Sequence, residues 1–198
     1  MNLLFPRCFS PSPQWLIALL LTGLLICLPA TAAQSIQTWL DMALPGSTLH
    51  LPPGEYSGPG VINKPLRLEG NGKVVINNHG TGTVLTIHAD HVTLRGLTLR
   101  GSGDSHDTID GAIMAEGNHL LIENNVIEDV LFGISLHRTT DSVVRNNRIR
   151  SRGIDSADRG DGLRLWYSTR NRIEINDISQ IRDITVTNST HNRFVGNK

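Results

Sequence analysis

A short phrase ending on asparagine returns four times in the second half of this chain, and it restricts the fold more than any other feature. It reads His119-Leu-Leu-Ile-Glu-Asn-Asn125-Val-Ile127, then Asp141-Ser-Val-Val-Arg-Asn-Asn147-Arg-Ile149, then Arg170-Asn-Arg-Ile-Glu-Ile-Asn176-Asp-Ile178. The last copy is His191-Asn-Arg-Phe-Val-Gly-Asn197. An earlier relative, His91-Val-Thr-Leu-Arg-Gly-Leu97-Thr-Leu99, carries leucine at the asparagine position. A repeat of roughly 22 residues built on period-2 apolar positions is too short to bury its own apolar face, so neighbouring copies must stack.

A second ladder supports the same register. Gly111-Ala-Ile-Met114, Gly133-Ile-Ser-Leu136, Gly162-Leu-Arg-Leu165 and Asp183-Ile-Thr-Val186 align at spacings of 22, 29 and 21, as do the asparagines. The expected inward stacks are Ala112/Ile134/Leu163/Ile184 and Met114/Leu136/Leu165/Val186 on one side. On another they are Ile122/Val144/Ile173/Phe194 and Ile127/Ile149/Ile178. Strands that recur once per circuit lie parallel, about 4.8 Å apart, and a right-handed crossover is the default. The expected fold is all-β, a single-stranded right-handed parallel β-helix of the pectin-lyase-like kind with a short N-terminal capping helix.

The chain divides into three expected parts. Residues 1–33 have the layout of a secretory signal peptide: Arg7, an apolar run from Trp15 to Leu28, and a small-residue site at Pro29-Ala-Thr-Ala-Ala33. An uncleaved anchor is the alternative. Both cysteines, Cys8 and Cys27, fall in this segment, so the exported protein needs no disulfide. Residues 34–47 form a cap, with Ile36, Leu40 and Ala43 on one helical face before Pro45-Gly46. Residues 48–198 form the solenoid. Thr48–Leu51 reads as its first strand and Pro52–Tyr56 as a turn, with Leu66–Leu68, Val74–Ile76 and Val84–Ile87 completing a second circuit. A formal net charge of zero offers no basic field for nucleic acid.

Asn125, Asn147, Asn176 and Asn197 are expected to bond rung to rung at a corner, a structural role, with ligand binding as the alternative. Two long loops interrupt the short circuits, Arg100–Asp110 and Arg150–Asp161, on alternate rungs at one corner. Insertions gathered on one face of a solenoid mark its binding face. Asp104, His106, Asp107, Asp110, Arg152, Asp155, Asp158 and Asp161 are its candidates for a metal or a sugar; simple solvation is the bland alternative. His91 and His119 occupy equivalent positions on successive rungs, with Asp141 next and His191 two rungs further on. They form either a metal site or a polar corner. Tight Cu(I) binding wants thioether or thiolate ligands, and Met114 is expected to face the core. Asp110 and Asp161 align two rungs apart, a loose spacing for an acid–base pair. No nucleophile elbow, phosphate loop or zinc signature is present.

Four segments, in order, resemble one family. Leu51-Pro-Pro-Gly-Glu-Tyr56, Lys64-Pro-Leu-Arg-Leu-Glu-Gly70, Val92-Thr-Leu-Arg-Gly-Leu-Thr-Leu-Arg-Gly-Ser-Gly103 and Asp161-Gly-Leu-Arg-Leu-Trp166 are similar to NosD. The resemblance runs from about Pro45 to the end. It implies a periplasmic, non-catalytic maturation factor, with copper as its metal. Its implied partners are an inner-membrane ABC transporter, a copper chaperone and nitrous oxide reductase. The competing readings are a β-helix that binds or processes polysaccharide and a non-functional remnant. NosD-like chains continue for several rungs past Lys198, so the solenoid is expected to be incomplete at its C-terminus. A truncated product, a split gene and end-to-end dimerisation are the explanations, truncation the favoured one.

Overall fold

The computed structural model describes residues 33–198. The expected signal peptide and both cysteines lie outside the described residues, apart from Ala33. Among the described residues a single helix, Ile36–Met42, opens the fold; the Ser35 hydroxyl caps it by accepting from Gln37 N at 3.2 Å. Ile36 and Leu40 are fully buried against the first rung. A Cβ on Gly60 would collide with both and with Leu85, so only glycine lets helix and strand approach this closely. The residues before the helix, Gln34–Ser35, pair in parallel with Tyr56 and Ser57. No described helix is long and apolar enough to cross a membrane.

The other described elements are strands, and all of them pair in parallel. One sheet stacks Gln34–Ser35, Gly54–Ser57, Arg67–Asn77, Thr93–Arg100, Leu121–Glu123, Val143–Arg145, Arg172–Glu174 and Arg193–Val195 in that order. Val126–Val130, Arg148–Ser151 and Asp177–Ser179 continue it round a corner as a third face. A second sheet stacks Gly60–Ile62, Leu85–Ile87, Gly111–Ala115, Phe132–His137, Leu163–Trp166 and Ile184–Thr187. The chain is the right-handed parallel β-helix expected from its repeat. Apolar residues at alternate positions point inward and like stacks on like: Leu68, Leu94, Ile122, Val144 and Ile173 form one fully buried column. In the last described rung the equivalent Phe194 is 40 % exposed.

Corners rely on left-handed backbone. Gly96, Asn124, Asn146, Ile175 and Gly196 all have φ between 52° and 64° and turn the chain from the first sheet into the third face. His91, His119, Asp141, Arg170 and His191 do the same at the corner that enters the first sheet, with φ from 53° to 58°. Glycine and asparagine tolerate this region best, which is why they recur before the ladder asparagine.

Three details differ from expectation. Gly54–Ser57 is a strand rather than a turn, held by the buried Tyr56, whose hydroxyl donates to the Pro52 carbonyl at 2.8 Å. Gly60–Ile62 is a further strand. The strand Gly111–Ala115 is shifted by one residue: Gly111 pairs with Phe132, Ile113 with Ile134, Met114 with Ser135 and Ala115 with Leu136. A one-residue shift exchanges the two faces of a strand. The shift buries β-branched Ile113 against Leu85 and Ile134, and turns Met114 outward. Gly111 and Gly133 therefore do not share a column. A Cβ on Gly111 would meet Phe132, and one on Gly133 would lie 2.1 Å from the Gly162 carbonyl oxygen.

Candidate functional site

The asparagine ladder is a closed hydrogen-bond system. Asn147 Oδ1 accepts from Asn125 N and from Asn125 Nδ2, while its own Nδ2 donates to the Ile122 carbonyl and to Asn176 Oδ1. Asn176 repeats the pattern with Val144 and Asn197. At the upper end Asn125 Oδ1 accepts from Leu97 N, so the column needs no polar side chain at Leu97. Asn125, Asn147 and Asn176 are buried, and these bonds use the amide valences a ligand would need. A further asparagine ladder runs in the same repeats. Asn171 Oδ1 accepts from Ser142 N, and Asn171 Nδ2 donates to the Thr139 carbonyl and to Asn192 Oδ1.

His91 and His119 stack face to face, ring centroids 4.9 Å apart and planes 11° from parallel. Asp141, next in the column, is taken by Arg170: Nε donates to Oδ1 and Nη2 to Oδ2, both at 2.8 Å. That fork holds the Asp141 carboxyl below its ordinary range. Lone pairs of ring nitrogens lie in the ring planes, so two stacked imidazoles converge on one ion only after turning, which their exposure allows. Among the described residues no group of three or more His, Cys, Asp or Glu is placed to hold a metal ion.

The two long loops clasp one another across the rung between them. Arg152 Nη2 donates to the carbonyls of Ser102 (2.6 Å) and Gly103 (3.0 Å), and His106 Nε2 donates to the Asp158 carbonyl at 3.0 Å. Ser102 Oγ also accepts from Leu131 N of the intervening rung. The His106 ring meets Phe132 edge-on at 5.4 Å, so the clasp closes over an aromatic floor. Asp104, Asp107, Asp155 and Asp158 are exposed at the loop tips. Asp110 and Asp161 are buried and engaged. Asp110 accepts from Ser105 N and Thr108 Oγ1; Asp161 accepts from Arg182 Nη2 (3.1 Å) and Thr185 Oγ1 (2.8 Å). Phe132 N donates to the Asp110 carbonyl and Gly133 N to that of Asp161, so a rung lies between the two carboxylates.

A groove of about 210 Å³ lies on the outer face of the second sheet, beside the first of these loops. Ile109 supplies the wall, and Met114, Ser135, Leu136, His137, Arg164 and Trp166 line the rest. Of these, Met114 was expected to face the core; Ile109, Ser135, His137, Arg164 and Trp166 were not singled out. Arg164 and Trp166 do stand in the quoted Asp161–Trp166 segment, at alternate positions facing outward. Next to Trp166 in the same column His137 shares the Glu116 carboxylate with His88, at 3.5 and 3.6 Å. On the first sheet Glu123, only 3 % exposed, is gripped by Arg95 and by Arg145 Nε at 2.6 Å. Burial pushes its carboxyl up, and the two guanidinium groups outweigh that and hold it below the ordinary range.

Comparison with known proteins agrees with this architecture. Residues 82–198 match the right-handed β-helix region family. The NosD protein of Pseudomonas aeruginosa, described as a probable ABC transporter binding protein, is 31% identical over 85% of this chain. NosD of Stutzerimonas stutzeri, described in the same words, is 33% identical over 67% of it. The chain spans 39% and 31% of the length of these two relatives. An alginate lyase from a Paenibacillus species superposes with a TM-score of 0.62 at 22% identity, covering 80% of this chain and 64% of that one. A protein from Parabacteroides merdae described as a glycosyl hydrolase gives 0.63 at 10%, covering 77% and 82%. At such identities the two structures show likeness of fold alone. The chain belongs to the right-handed β-helix family and is similar, within it, to NosD.

Proposed function

We propose that this chain is a NosD-type accessory protein. It is exported to the periplasm, associates with an inner-membrane ABC transporter, and works with a copper chaperone in assembling the copper–sulfur centre of nitrous oxide reductase. It has no turnover of its own. The observation that carries this reading is sequence likeness sustained over 85% of the chain to a protein named for binding an ABC transporter. The placement of Asp110 and Asp161 supports the non-catalytic part, because both are buried, hydrogen-bonded to Thr108, Arg182 and Thr185, and separated by a rung. Copper is cargo in this role, touching His91 and His119 once the rings turn out of their stack.

Two measurements test it. In a strain deleted for its own NosD, expression of this chain should restore copper to nitrous oxide reductase, and the chain should co-purify with the detergent-solubilised transporter. Failure of both would sink the proposal. For the cargo contact, copper titration of the purified chain is compared with His91→Ala/His119→Ala; equal binding by the double variant rejects that pair.

A further inference from the structure

We infer that Asn71-Gly72 is a self-modifying turn, where the asparagine amide cyclises onto the Gly72 nitrogen and reopens as isoaspartate or aspartate. The inference is independent of any transporter or copper. It starts from an irregularity in the corner columns. Between the first sheet and the third face, each later rung turns on one left-handed residue: Gly96, Asn124, Asn146, Ile175 or Gly196. The rung before them uses four. Glu69 pairs with Arg95 and Val74 with Leu97, so Gly70-Asn-Gly-Lys73 opposes Gly96 alone. Asn71 and Gly72 are both left-handed, at φ of 50° and 70°, and two such residues in succession make the tight turn that favours Asn-Gly.

The same pair brings an asparagine amide against an unscreened backbone nitrogen. A side chain on the following residue would shield that nitrogen, and glycine has none. Asn71-Gly72 is the one Asn-Gly pair in the chain. Its surroundings add no shield: a Cβ on Gly72 would meet no atom within 4 Å, and both residues are exposed. The buried ladder residues Asn125, Asn147, Asn171 and Asn176 spend their amides on bonds from rung to rung. Asn71 stands outside both ladders, its amide engaged by no other described residue and free to turn toward Gly72 N.

The chemistry needs only water. Gly72 N attacks Asn71 Cγ, the new N–C bond closes a cyclic imide, the Cγ–Nδ2 bond breaks, and ammonia leaves with the Gly72 proton. Water then opens the ring at either carbonyl. One opening gives aspartate; the other reroutes the main chain through the side-chain carbon, adding a methylene to the backbone. Both leave a carboxylate where a neutral amide stood. The lengthened form fits this corner poorly. A Cβ on Gly70 would lie 2.6 Å from the Gly96 carbonyl oxygen, and one on Gly96 would lie 3.0 Å from Asn71 N, so the excursion is pressed onto the next rung.

Incubation of the full chain in mildly alkaline buffer tests this, folded and in parallel unfolded in urea, with peptide mass mapping and enzymatic methyl labelling of isoaspartate. Asn71 should convert ahead of every other asparagine. Its folded rate should lie within about tenfold of the unfolded one, a barrier difference under about 1.4 kcal/mol. Asn71→Gln should remove the isoaspartyl label, and the aged isoaspartyl fraction should unfold at lower urea than the unmodified chain. The comparison of folded with unfolded wild-type chain carries the test whether or not the variant folds. A folded chain that keeps its Asn71 amide while the unfolded chain converts would overturn the assignment. So would earlier conversion of another asparagine, labelling undiminished in Asn71→Gln, or an unchanged urea midpoint after conversion.

Discussion

Replacing Asn147 by alanine should be among the most damaging single changes in this solenoid, and the structure says by how much. Its side chain takes part in four hydrogen bonds: two accepted from Asn125, one donated to Ile122 and one to Asn176. At a net of roughly 1 kcal/mol each, their loss costs about 4 kcal/mol. The Asn125 N–H and the Ile122 carbonyl are left without these partners at a buried corner, so the cost does not fall towards the surface value. Asn125→Ala removes three side-chain bonds instead of four, from Leu97, to Leu94 and to Asn147, and should cost about 1 kcal/mol less. Urea unfolding followed by far-UV circular dichroism measures both. With a slope of about 2 kcal/mol/M, Asn147→Ala moves the midpoint down by about 2 M. A shift below about 0.5 M, or Asn125→Ala as damaging as Asn147→Ala, would refute the claim that the ladder's amides carry the corner.

Three further outcomes follow from particular contacts. Glu123 has a folded pKa below its ordinary value, so its stabilisation is present above that ordinary value and is lost as pH falls through the depressed one. Urea midpoints should therefore drop on acidification, and Glu123→Gln should lower the neutral-pH midpoint while flattening its acid dependence. Arg152→Ala removes the guanidinium that ties the loops together; at about 1.5–3 kcal/mol for charged hydrogen bonds, amide exchange should accelerate across residues 101–110 with the second sheet unchanged. Gly133→Ala places a methyl group 2.1 Å from the Gly162 carbonyl oxygen. Overpacking of this kind costs about 1–3 kcal/mol or more, and thermal unfolding should detect it, whereas Gly153→Ala, with open space around it, should be silent.

Much of the fold was legible because the repeat couples two periods. Alternation along each strand chose the inward face, and the spacing between copies chose the register. Register failed at Gly111 for a physical reason. Glycine was used as an anchor, but Gly111 is small because Phe132 presses on it, whereas Gly133 is small because Gly162 does. The same letter answered two different collisions one residue apart. Of the candidate residues, the loops stood out because insertions break a fixed spacing. The groove floor did not: His137, Arg164 and Trp166 occupy outward positions of alternating strands, where a polar or aromatic residue reads as solvated surface. Only Ile109 of the first loop, standing beside that face, turns it into a concavity, and loop direction leaves no periodic mark.

Strand spacing accounts for why the two insertions sit on alternate rungs. Neighbouring rungs lie about 4.8 Å apart, too close for two loops of this length to pack at one corner without displacing the sheet beneath them. Two rungs, about 10 Å, leave a gap that one short rung fills with Phe132 and that Arg152 and His106 span from opposite loops. The intervening rung joins the clasp through Leu131 N, which donates to the same Ser102 hydroxyl that Arg152 reaches. A solenoid transmits stability only between neighbours, and this arrangement couples three consecutive rungs instead. The stretch beside the groove is thereby cross-linked over three rungs, and a wall that holds Ile109 at φ = 57° needs that rigidity.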